Sequence, residues 1–272
     1  MNSTTIKELV EQARKIEPTE EHARRALACM DLTSLHADDT EADIEALCAR
    51  GKTGFGQVAA VCVYDRFIGC ARRCVGDSAI KVATVCNFPE GGMDIEAAVR
   101  EAGAQISAGV NEVDVVLPYR AYMNGERDHA LQLVRDVRQV CRNATLKVIL
   151  ETGELGDADM IRNASLDAVA AGADFIKTST GKVAVGATLE AAAVMLRVIA
   201  ATQPATDRTL GFKPAGGIST VQDAASYLYL ADTIMGPEWA RPETFRFGAS
   251  SLLGSVLSML GDDSQTSDSS GY

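Results

Sequence analysis

Eight short runs rich in Val, Ile, Ala and Leu recur along the chain with helix-patterned segments between them, and this alternation constrains the fold most. The runs span residues 26–31, 57–64, 80–86, 112–117, 145–150, 174–178, 209–214 and 244–248. Apolar strands separated by helices build a parallel sheet, and eight such units close most simply into a single (β/α)8 TIM barrel of the α/β class. An open, doubly wound sheet is the alternative. For the last strand the sequence offers a second segment, 232–235. Helix starts are expected at Asp38-Asp39-Thr40, Asp94, Thr188 and Thr220, whose side chains can accept from free backbone N–H groups. Residues 1–24 read as an extra N-terminal helix, perched before the barrel and covering its N-terminal end. Residues 25–261 read as the catalytic barrel, and the polar segment 262–272 as a flexible tail.

The 272 residues are 47% hydrophobic and only 5% aromatic, enough for a large aliphatic core in one domain. A net charge of −11, with no dense Lys/Arg run, excludes general attraction to nucleic acid. Any phosphate must therefore arrive on a small molecule and be held locally. There is no apolar span of about 20 residues and no apolar core of a signal peptide, so no membrane partner and a cytoplasmic location are expected. Seven cysteines, none in a C-x-x-C pair, read as reduced thiols that pack; the Cys62 strand also faces the expected pocket. The three histidines, His22, His36 and His129, are scattered rather than at ligand spacing, so neither metal nor cofactor is expected. A homodimer is a compatible assembly.

Catalytic groups of a barrel sit at the C-terminal ends of its strands. Among eight lysines, Lys147, Lys177 and Lys213 fall inside apolar strand patterns on neighbouring strands 5, 6 and 7, with Asp114 nearby on strand 4. One such lysine reads as a structural residue paired to a carboxylate. Three together read as a reactive cluster, because crowding and desolvation destabilise the ammonium form and leave one amine neutral and nucleophilic. After these strands come Thr178-Ser179-Thr180-Gly181-Lys182, Pro214-Ala215-Gly216-Gly217 and Gly248-Ala249-Ser250-Ser251, turns whose open N–H groups and hydroxyls suit a phosphate.

The segments EVDVVLPYR, LKVILETGEL, DFIKTSTGKVAVGAT, GFKPAGGI and FRFGASSLL, in that order, resemble the deoxyribose-phosphate aldolase family over roughly residues 25–260. The resemblance implies a metal-independent class I aldolase acting on a small sugar phosphate and aldehydes. It makes Lys177 the Schiff-base lysine, Lys213 the lysine that depresses its pKa, and Asp114 the proton-relaying carboxylate. Asp31 and Lys147 would line the pocket. Gly181, Gly216, Gly217, Ser250 and Ser251 would belong to the phosphate-binding stretch, with Thr178, Lys182 and Gly248 beside them. Tyr272 would match a C-terminal tyrosine that assists proton transfer. Three positions depart from the pattern: Asp65 and Gly186, expected to alter turns, and Ser219, expected to weaken phosphate binding. Rival readings are another Schiff-base aldolase acting on a related sugar phosphate, and a non-catalytic barrel that binds one.

Overall fold

A computed structural model of the chain describes residues 5–262, so Tyr272 and all but the first residue of the expected tail lie outside the described residues. Eight strands form one sheet: β1 (Met30–Thr33), β2 (Ala60–Val63), β3 (Lys81–Cys86), β4 (Glu112–Val116), β5 (Thr145–Ile149), β6 (Phe175–Lys177), β7 (Gly211–Lys213) and β8 (Phe247–Ala249). Each pairs in parallel with its sequence neighbour from β1 to β7, and β8 returns to pair with β1. The last seam, β7 to β8, is closed by two parallel bridges, Phe212 with Phe245 and Ala215 with Gly248. Its hydrogen bonds include Phe212 N to Thr244 O at 2.8 Å and Gly248 N to Pro214 O at 2.9 Å. Closure rules out the open-sheet alternative.

The helix starts follow the local chemistry. Thr40, Asp94, Thr188 and Thr220 each accept a backbone N–H three residues on, and Asp43 and Asp223 reciprocate for Thr40 and Thr220. Several boundaries differ from the sequence expectation, among them the last strand, which starts at Phe247 rather than at 244. Residues 26–28 complete the helix Glu20–Ala28, so β1 begins at Met30. Gln57 belongs to a two-stranded hairpin that precedes β2. Residues 232–235 end the helix Val221–Met235 instead of forming a strand.

The single helix expected at the N-terminus is two, Ile6–Ala13 and Glu20–Ala28. The first packs on the outer helices Leu189–Thr202 and Val221–Met235 instead of covering an end of the barrel. The second is fixed to Val221–Met235 by a two-pronged pair, Arg25 to Asp232 at 2.7 and 2.6 Å, and leads into β1. Most of the apolar core lies between strands and outer helices, while a small separate cluster of Leu35, Ala60, Cys62, Ala83 and Val85 lies inside the barrel.

Candidate active site

Alternation along β4 turns Glu112 and Asp114 to one face, the barrel interior. There they meet Asp31 of β1, Lys147 of β5, Lys177 of β6, Lys213 of β7 and Arg246, which precedes β8; all are buried. Register places Asp114 opposite Lys147, and Lys177 opposite Lys213. Asp114 is the hub. Its Oδ2 accepts from Lys177 Nζ at 2.9 Å and Lys213 Nζ at 2.8 Å, and its Oδ1 from Lys147 Nζ at 2.9 Å. Lys213 also donates to Asp31. Deeper in, Arg246 joins Glu112 (2.8 and 3.0 Å) to Asp31 (2.6 Å), and Glu112 accepts from Lys147 at 2.5 Å.

Four basic side chains thus face three carboxylates in a buried space. Net charge buried in a low dielectric is costly, so the cluster balances if one lysine gives up its proton. Burial lowers the pKa of Lys177; Asp114 opposes this and Lys213 adds to it. Burial acts on Lys147 and Lys213 too, but Asp114 with Glu112 and Asp31 outweighs it for Lys147, and Asp114 with Asp31 for Lys213, so both are raised. Burial likewise opposes the charge of Asp114, yet the three lysines hold its pKa well below the carboxylate range. Lys177 is therefore the amine of the cluster that is neutral most readily. It is also the one within reach: Lys177 is 4% exposed and lines the cleft at the barrel mouth, whereas Lys147 and Lys213 are 0% exposed beneath it.

That cleft is walled by Thr33, His36, Thr180, Lys182 and Ser250, with the turns at Gly181, Gly216 and Gly248. Gly181 and Gly216 have φ of +78° and +85°, which a side chain would strain. Glu151, itself at φ +57°, lies buried under this rim and accepts from the Thr180 N–H at 3.1 Å and its hydroxyl at 2.5 Å. Gly248 has a further role. A Cβ there would stand 3.0 Å from Lys213 Cε, so its absence gives the Lys213 stem its path.

A family model described as DeoC/LacD family aldolase matches residues 25–254. The chain belongs to that family. It is 50% identical over 254 residues to a deoxyribose-phosphate aldolase of Agrobacterium fabrum (strain C58 / ATCC 33970), covering 93% of this chain and 96% of that one. Among solved structures it matches a putative deoxyribose-phosphate aldolase from Coccidioides immitis, with TM-score 0.73 and 28% identity over 93% of this chain and 98% of that one. A Toxoplasma gondii ME49 structure, with TM-score 0.80 and 24% identity over 91% and 96%, shares the fold. This DeoC/LacD aldolase is accordingly a lyase built on a TIM barrel, as the sequence motifs imply.

Of the expected site residues, the aldolase brings Lys177, Gly181, Lys182, Gly216, Gly248 and Ser250 to one cleft. Asp31, Asp114, Lys147 and Lys213 form the ionic floor below it, and Cys62 lies fully buried beside that floor. Three do not reach the cleft. Thr178 is buried, its hydroxyl donating to Ala215 O at 3.2 Å and accepting from Ala215 N at 3.0 Å, so it ties two rim turns together. Gly217 faces a neighbouring groove beside Gln222 and Asp223. Ser251 is exposed at the start of the helix Leu252–Met259.

Sequence reasoning misses Glu112 and Arg246. The signal that could find them is a charge at an inward position of an apolar strand, as at Glu112 two residues before Asp114. Gly186 proves more than a turn variant: a Cβ there would stand 2.6 Å from Gly216 O, so this backbone admits only glycine where the two turns touch. Ser219 helps cap the helix Val221–Met235, its N–H donating to Asp223 at 3.0 Å.

Proposed function

We propose that this aldolase reversibly cleaves 2-deoxy-D-ribose 5-phosphate to D-glyceraldehyde 3-phosphate and acetaldehyde through a Schiff base on Lys177. The observation that carries the proposal is the Lys177 amine at the mouth, biased toward its neutral form and hydrogen-bonded to a carboxylate held as an anion. The name of the Agrobacterium relative supports the substrate.

In this reading Lys177 Nζ attacks the aldehyde carbon of the open-chain sugar, and loss of water from the carbinolamine leaves an iminium. Positive charge now develops beside Asp114, whose fixed anion stabilises it without reorganisation. The iminium accepts the electrons of the breaking C2–C3 bond as the C3 hydroxyl loses its proton, which releases glyceraldehyde 3-phosphate and leaves an enamine. Protonation at carbon and hydrolysis then free acetaldehyde and restore the amine. Asp114 and Lys213, joined at 2.8 Å, form an acceptor–donor pair next to the reacting nitrogen and are assigned the proton transfers. The rim turns at Gly181, Gly216 and Gly248–Ser250 hold the phosphate, so that remote binding energy positions the carbonyl.

Incubation with acetaldehyde followed by borohydride will attach a two-carbon label to the peptide containing Lys177. A label on Lys213, or none, would overturn the assignment. Turnover compared on deoxyribose 5-phosphate and free deoxyribose will favour the phosphate ester, chiefly through KM. Equal KM values would remove the rim turns from substrate binding.

A further inference from the structure

Outside the barrel, the helix Glu41–Arg50 packs on the helix Ile68–Val75, and their seam carries four donor side chains. Cys70 and Cys74 stand four residues apart, one turn along a single ridge, while Glu45 and Cys48 stand three apart on the facing helix. The thiol sulfurs of Cys70 and Cys74 and a carboxylate oxygen of Glu45 all lie within 4.8 Å of one another. Cys48 lies close enough to Cys70 and Cys74 for both to act on its thiol, though outside that group of three. Cys48 and Cys70 are buried, Cys74 is half-buried and Glu45 is exposed, so the group runs from the core to the surface. A packing role accounts for Cys48 and Cys70. It does not account for a thiol and a carboxylate meeting at the solvent edge.

We propose that this seam binds a thiophilic divalent cation of the zinc or cadmium type, held by the thiolates of Cys48, Cys70 and Cys74 and the carboxylate of Glu45. Three clustered donors, with the Cys48 thiol swinging in from the facing helix as the fourth, would complete the closed tetrahedral set of a structural site, with no position left for substrate. Tetrahedral sulfur ligands about 2.3 Å from the metal stand roughly 3.8 Å apart, so rotamer adjustment alone can close the donors onto an ion. Three sulfurs select against magnesium and calcium, which prefer oxygen. As each metal–sulfur bond forms, the thiol proton leaves to solvent and no electron is transferred. Three thiolates and a carboxylate carry more negative charge than the ion offsets. The Lys52 ammonium, which donates to Cys74 O at 2.9 Å, stands beside them, and nearby Glu41 is engaged by Arg73 at 3.3 Å.

The test is titration of the reduced full-length protein with Co2+, followed by the sulfur-to-cobalt charge-transfer absorption, and competition by Zn2+. One equivalent should give thiolate charge-transfer and tetrahedral cobalt bands that Zn2+ bleaches. Cys74→Ser and Cys48→Ser should each weaken binding by at least the roughly 10- to 100-fold that even outer-shell partners contribute to metal sites. Glu45→Gln, at an exposed position, should weaken it in the same direction with the fold intact. Cys141→Ser, on the far helix, should change nothing. Absence of the charge-transfer band, or a band that survives Cys74→Ser or Cys48→Ser, overturns the proposal. Borohydride trapping on Lys177 is read in parallel and should be unaffected by any of these variants.

Discussion

Inside the barrel, β2 and β3 contribute Ala60, Cys62, Ala83 and Val85, whereas β1 and β4 to β7, with the residue before β8, contribute Asp31, Glu112, Asp114, Lys147, Lys177, Lys213 and Arg246. The first half is small and uncharged; the second is almost wholly ionic. The contrast explains how long side chains from several strands fit in a space that layers of branched aliphatics fill in other barrels. Small residues on one wall leave room, and every cation must find its partner on the other. Burial pushes the Cys62 thiol up, so it stays protonated and adds no charge of its own. Burial and the ionic half together set the charge state of Lys177.

Three substitutions probe that division, in order of expected effect. Asp114→Asn removes the anion shared by three lysines, and should lower turnover by about 10²- to 10⁴-fold, the range of acid–base catalysis. Without the carboxylate that favours its ammonium form, Lys177 becomes neutral at still lower pH, so borohydride trapping of acetaldehyde should persist. Unchanged turnover would remove Asp114 from the chemistry. Denaturant unfolding should also show a loss of roughly 3–5 kcal/mol, the cost of stranding a buried charge.

Arg246→Met takes one cation from the deep layer and leaves Glu112 and Asp31 under-compensated. The missing positive charge favours protonation of Lys177, so its pKa rises. The pH profile of trapping, which climbs as Lys177 loses its proton, should therefore shift to higher pH, and Arg246→Lys should return it part of the way. A profile that stays put while stability falls would limit Arg246 to a structural role. The smallest effect is expected across the barrel: Cys62→Ala should cost about 1 kcal/mol, the scale of one small buried group, with trapping and its pH profile intact. A shifted profile would show that the two halves are not separable.

Much of this design is legible in the order of the residues alone. Lys177, Lys213 and Asp114 stand out because a charged residue in an apolar strand demands a partner or a function. Gly181 and Gly216 are readable as rim turns because such residues after a strand free backbone donors. Glu112 and Arg246 escape notice, since each looks like an ordinary charge at a strand edge until closure brings them together from 134 residues apart. Thr178, Gly217 and Ser251 are drawn into the expected pocket by their neighbours in sequence, but Thr178 follows β6, where adjacent residues point to opposite sides, and Gly217 and Ser251 sit where a turn and a helix start redirect the chain.

What the sequence determined by itself was the repeat of strand and helix, the helix starts and the charged residues set inside apolar strands, because periodicity and local hydrogen bonding act over a few residues. Only the tertiary structure decided which of the three lysines is most readily neutral. That choice turns on Lys177 standing at the mouth, on Asp31 reaching Lys213 across 182 residues, and on the sum of buried charges in the closed barrel. Coulomb energy in a low dielectric depends on distances between strands, and those exist only once β8 has returned to β1.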